Sequence, residues 1–213
     1  PIHPLALAPS RKNHLSPTDR PLLELPESLA FSPMYGMVNK AIEEMVCKHH
    51  GEQAWEQIKE RAGVDVPMFV SNEGYEDAIT YQLVTAASEL TGAPASQILE
   101  AFGEHWILHT AREGYGDLMD AGGDSLPQFL KNLPNFHTRV IMMFPNLQPP
   151  QFEVTESTDR SLHLHYRTHR PGLESFVVGL LKGLGKMFQT PVQARLIKSR
   201  GDGADHDVFF VEW

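Results

Sequence analysis

Between Leu162 and Arg170 the chain alternates without a break, and that alternation constrains its fold more than any other segment. At the two-residue period of a strand, neighbouring side chains point to opposite faces. One face carries Leu162, Leu164, Tyr166, Thr168 and Arg170, the other His163, His165, Arg167 and His169. The first face runs from apolar residues into a phenol, a hydroxyl and a guanidinium, three hydrogen-bond donors in a row. A buried row of donors with no acidic neighbour in sequence asks for an anion, and the planar arginine fork suits a carboxylate best. The blander alternative is an edge strand whose Arg170 reaches a surface Asp or Glu.

The rest of the chain places this strand in a mixed fold. Residues 1–33 contain Pro1, Pro4, Pro9, Pro17, Pro21, Pro26 and Pro33, which break any periodic pattern and predict a loosely packed extension. His3 and His14 lie in it and read as solvated. From Met34 onward the pattern changes: Met37, Val38, Ala41, Ile42, Met45 and Val46 recur at helical spacing. Helices are also expected over 52–62, 75–91 and 94–113, then a turn rich in Gly114, Gly116, Gly122 and Gly123. A further helix is expected from Asp124 or Ser125 to about Phe144, capped by Asp124 and divided in two at Pro134. Strands follow: a hairpin of 151–156 and 161–169, a helix over 173–188, then alternation over 192–199 and 207–211. Helices first and an antiparallel sheet with a packed helix after them define an α+β fold, an N-terminal helical subdomain joined to a C-terminal sheet.

Composition excludes several classes. The 213 residues suffice for one domain with a sizeable core, and the net charge of -9 argues against a nucleic-acid partner. The single cysteine, Cys47, rules out an internal disulfide and fits a reducing compartment; it reads as a small residue on an amphipathic helix. No apolar run approaches the roughly 18 residues of a membrane span, and the N-terminus lacks the apolar core of a signal peptide. The expectation is therefore a cytoplasmic protein without a membrane partner.

Eleven histidines make metal or haem chemistry worth testing. His105 and His109 share a helix face at i and i+4, but Trp106 stands where a zinc protease needs Glu, so they read as two surface imidazoles. His163, His165 and His169 read as a solvated sheet face. The glycines from Gly179 to Gly185 with Lys186 have the wrong spacing for a phosphate loop, and Met187 replaces the Ser or Thr that would hold magnesium. His137 differs from all of these, because it lies on an almost wholly apolar helix. Buried without a carboxylate it would be neutral, the form that binds iron. One candidate axial histidine and one strand fit for an anion are the two things haem requires, although the residues alone do not demand that they meet.

Four motifs occur in order: Met34-Tyr35-Gly36-Met37-Val38-Asn39-Lys40, Leu133-Pro134-Asn135-Phe136-His137, Gln148-Pro149-Pro150-Gln151-Phe152 and Tyr166-x-Thr168-x-Arg170. Together they resemble the haem-nitric oxide/oxygen-binding (H-NOX) family, which includes the haem domain of soluble guanylate cyclase. The resemblance covers 34–213 and none of the first 33 residues. It implies a haem b held between the helical subdomain and the sheet, with His137 as proximal iron ligand. It further implies that Tyr166, Thr168 and Arg170 grip the propionates and that Pro150 presses on the porphyrin. Thr168 departs from the usual serine but keeps the hydroxyl. By similarity Val38, Trp106, Phe176 and Leu180 line the distal pocket, with Ser175 the alternative to Phe176 if the turn aligns one residue differently.

The oxygen-binding branch of the family places a donating tyrosine where Phe176 stands, and phenylalanine cannot donate. The resemblance therefore implies a sensor of NO and CO with poor oxygen affinity, the indole of Trp106 being a weak substitute for the missing phenol. It implies a two-state switch in which NO loosens the bond to His137 and the bent porphyrin relaxes. With no output domain after Trp213, the expected partner is a separate histidine kinase or cyclic-dinucleotide enzyme. An oxygen sensor, a haem enzyme or a haem carrier are the alternatives. A peroxidase-like enzyme would want a distal His–Arg pair, and a carrier an exposed weak ligand. No catalytic residue is expected.

Overall fold

The computed structural model describes residues 33–143 and 147–213. Except for Pro33, the segment read as an extension lies outside the described residues, as does the expected helix end at Phe144. A short ladder pairs β1 (Met34–Tyr35) with β2 (Gly74–Tyr75). Around it stand α1 (Gly36–His50), α2 (Glu52–Ala62), α3 (Asp77–Thr91) and α4 (Ala95–His105). The spacing read over 37–46 is a true core stripe, since Ala41, Ile42, Met45 and Val46 are buried. They pack with Trp55, Ile58, Phe69, Leu83, Val84 and Phe102 into a first apolar core.

The second half is a four-stranded antiparallel sheet in the order β3 (Gln151–Thr155), β4 (Ser161–Arg167), β6 (Asp207–Glu212), β5 (Gln193–Lys198). α5 (Arg112–Asp120), α6 (Leu126–Met143) and α7 (Glu174–Met187) complete the chain. Leu162, Leu164 and Tyr166 of β4 join Phe209, Val211, Leu130, Leu133 and Leu181 in a second core. The two cores meet where α4 crosses α7. A Cβ on Gly103 would lie 2.2 Å from the Phe176 carbonyl oxygen, and one on Gly179 2.0 Å from that of Glu100. The helices therefore touch backbone to backbone, which only glycine permits at these two positions.

Four expectations are corrected. β4 is an interior strand flanked by β3 and β6, so the edge-strand reading fails, and it ends at Arg167, leaving Thr168 and Arg170 in the turn beyond. Pro134 sits inside one continuous helix, α6. Leu126, Phe129, Leu130 and Leu133 of that helix are buried, and this packing outweighs the one hydrogen bond that proline removes. Helix also continues past residue 113, through a π-helical segment at Trp106–Ala111 into α5, so Gly114 and Gly116 are helical. The irregularity expected from these glycines is confined to Tyr115, whose φ of -140° marks a kink. Asp124 does not cap α6; its backbone N–H donates to the Gln128 side chain at 3.0 Å.

Candidate functional site

α6 carries His137 toward the sheet. Its ring is 5.0 Å from that of Phe152 on β3, which lies 5.3 Å from Tyr166 on β4. His137 Nδ1 is 3.0 Å from the Leu133 carbonyl oxygen one turn earlier. A carbonyl only accepts, so Nδ1 carries the proton and Nε2 keeps its lone pair. Burial lowers the pKa of the imidazole, opposed by that backbone bond, and holds it neutral. This is the form and the tautomer that can bind a metal through Nε2.

The three donors read from the sequence converge at the far end of β4. Tyr166 is 3% exposed; burial raises its pKa to about 12, while the Thr168 hydroxyl hydrogen-bonded to it acts the other way. Thr168 Oγ1 also accepts the Arg170 backbone N–H at 3.1 Å. Arg170 is buried, and its fork is already engaged: Nε donates to Asp77 Oδ2 at 2.7 Å and Nη2 to Asp77 Oδ1 at 3.2 Å. Nη1 donates to the Gln148 carbonyl at 3.2 Å, which ties the loop carrying Pro150 to the same guanidinium. The absence of a nearby acid in sequence was thus misleading: Asp77, at the start of α3, meets Arg170 across 93 residues. It is a buried pair, with side chains 7% and 1% exposed.

Pro150 is half-buried immediately before β3, whose first residue Gln151 pairs with Arg167. Val38, Trp106, Phe176 and Leu180 are half-buried apolar residues at the seam between the cores. Val38 and Phe176 pack on the first, Leu180 on the second and Trp106 on both. The Phe102 ring lies against two of them, with centroids 5.1 Å from Phe176 and 6.2 Å from Trp106. The structure thus links His137 through Phe152 to Tyr166 along one flank, and places Val38, Trp106, Phe176 and Leu180 against the two cores. Phe102 and Phe152 were missed, because an aromatic residue in a core pattern carries no separate signal. Asp77 was missed because its partner is distant in sequence.

Two histidine readings also change. His105 is buried at 7% exposure, not a surface imidazole. Burial, then His109 and Lys48, lower its pKa from 6.5 to about 4. The unfolded chain therefore binds a proton in a pH range where the fold keeps His105 neutral, so this group's contribution to stability falls as pH drops from about 6.5 to about 4. Chemical denaturation across that range should show a shallower pH dependence for His105→Gln than for the unaltered chain. An identical slope would remove His105 from the account. On the outer sheet face, His165 is not simply solvated: Nδ1 lies 2.7 Å from His206 Nε2, and Nε2 lies 2.8 Å from Thr155 Oγ1.

A neutral, half-buried imidazole, a run of hydrogen-bond donors at the end of β4 and an apolar seam are the features that the resemblance assigns to a haem site. Comparison with known proteins agrees. The haem-NO-binding family model matches residues 35–196. Soluble guanylate cyclase gcy-33 of Caenorhabditis elegans is 30% identical over 80% of this chain, and soluble guanylate cyclase gcy-32 of the same organism 32% identical over 72%. The chain spans 18% and 23% of those proteins. The fold matches an H-NOX protein from S. oneidensis, solved in the Fe(II)NO ligation state, with a TM-score of 0.77. That likeness covers 84% of this chain and 98% of the other at 22% identity. The chain belongs to the H-NOX family of haem-binding gas-sensor domains. Among the described residues no helix is long and apolar enough to cross a membrane.

Proposed function

We propose that residues 34–213 form an H-NOX domain that senses NO, and binds CO, at a haem b ligated by His137. The observation that carries this reading is the 3.0 Å contact between His137 Nδ1 and the Leu133 carbonyl, which favours a proton on Nδ1 and leaves the Nε2 lone pair available to a metal. Haem, when bound, supplies an iron that captures diatomic gases. The chain supplies the rest. Tyr166, Thr168 and Arg170 would receive the propionate carboxylates, Arg170 sharing its donors between them and Asp77. Pro150 would lean on the porphyrin edge from a loop that Arg170 itself anchors. Val38, Phe176 and Leu180 keep the gas side apolar and offer no hydrogen-bond donor, which withholds the stabilisation that bound oxygen needs.

The signal would leave through α6, which carries His137 and, little more than one turn further on, the exposed Met142 near its C-terminal end. A separate histidine kinase or cyclic-dinucleotide enzyme is the proposed receiver. The relatives favour a second reading of the output, a guanylate cyclase, since the curated matches bear that name.

Absorption spectra of the dithionite-reduced protein, with NO and then in air, test the ligand assignment. The expected result is a haem band that shifts with NO and forms no stable complex in air. A stable oxygen complex would transfer the donor role to Trp106 or Ser175 and overturn the NO-selective reading.

A further inference from the structure

The π-helical segment that follows α4 has a second consequence. Segments of this kind insert a residue into an α-helix, and they concentrate at functional sites. Here the segment carries His109, while His105 ends the α-helix before it. Their rings stack with centroids 4.7 Å apart and planes inclined by 40°. His105 Nε2 is buried and finds no hydrogen-bond partner among the described residues. Leaving such a nitrogen dry and unpaired is costly, so its persistence asks for a ligand.

His109 shows what kind of ligand. Its Nε2 lies 2.9 Å from Lys48 Nζ, reaching across from the last turn of α1. An ammonium can only donate, so His109 Nε2 presents a lone pair and already receives a cation. A pair of imidazoles four residues apart on one helix face is a known way to chelate a metal ion. Among the described residues no group of three or more His, Cys, Asp or Glu is arranged to hold a metal, so water would complete the coordination. Imidazole donors without carboxylates select late-transition ions over magnesium or calcium.

We propose that His105 and His109 form a two-histidine chelate for a divalent late-transition cation of the zinc class, which displaces the Lys48 ammonium. His105 directly precedes Trp106, the residue that packs on both cores. A bound ion would therefore stiffen the helix junction behind the seam between them.

Zn2+ is the appropriate probe because it is redox-inert and leaves any haem iron alone. Competition against a chromophoric zinc chelator, on the full chain, should show one equivalent of Zn2+ held by the unaltered protein. His105→Gln and His109→Gln should each weaken that equivalent by about tenfold or more, since each removes one of only two protein ligands. Lys48→Met should tighten it, because the competing cation is gone. His109 is only half-buried, so its variant carries the test if His105→Gln fails to fold. No competition by the unaltered protein, or a Zn2+ affinity in both histidine variants equal to that of the unaltered protein, overturns the proposal. So does weaker binding in Lys48→Met, which would make Lys48 a support of the site and not its competitor.

Discussion

Replacing His137 with glycine is expected to abolish retention of one haem per chain, and imidazole added to the medium is expected to restore it. The argument rests on what the side chain does before any cofactor arrives. Burial keeps the ring neutral, and the Leu133 carbonyl fixes which nitrogen is protonated. No second described histidine has been placed at this flank of the site, so nothing stands ready to replace it. Free imidazole fits the space that the ring leaves and carries the same lone pair. The measurement is Soret absorbance per chain after gel filtration, with and without imidazole during haem loading. A loss of more than about tenfold in retained haem follows if the axial bond contributes even 1.4 kcal/mol beyond the contacts that Tyr166, Thr168 and Arg170 provide. An unchanged reduced spectrum in the glycine variant would move the ligand role away from His137.

How much of this could be read from the chain differs from one residue to the next. The burial face of β4 was legible because strict alternation has a single geometric meaning, and Leu162, Leu164 and Tyr166 are buried as read. The apolar stripe of α1 was legible for the same reason at the helical period. Pro134 misled, because a local rule about proline competes with the packing of a whole helix face. The glycines after residue 113 misled similarly, since the helix absorbs them at a single kinked residue, Tyr115. Candidate site residues within one motif, such as Tyr166 and Thr168, were visible. Those that act across the fold were not. Asp77 looks like any acidic residue at a helix start, a common and favourable place for one. Only the tertiary fold shows that its partner is the arginine whose donors seemed to lack an acid.

That pairing leads to the second large effect. Asp77→Asn should destabilise the haem-free chain by about 3–5 kcal/mol, because it removes the carboxylate that meets the fork of the buried Arg170 guanidinium. The hydrogen bond from Nη1 to the Gln148 carbonyl remains, but a neutral acceptor does not offset a buried cation. Replacing both residues with leucine should cost much less than the single change, since an apolar pair of similar volume removes the charge together with the need to balance it. Urea denaturation of Asp77→Leu, Arg170→Leu and the double-leucine variant gives the coupling directly. The same series separates the two roles of Arg170. If its fork also serves carboxylates of a bound cofactor, haem should recover part of the loss in Asp77→Asn by supplying the missing anion. It should recover none of it in the double-leucine variant. Equal losses with and without haem would mean that Arg170 serves the fold and not the cofactor, as a bolt between α3 and the segment after β4, and that Tyr166 and Thr168 hold the cofactor without it.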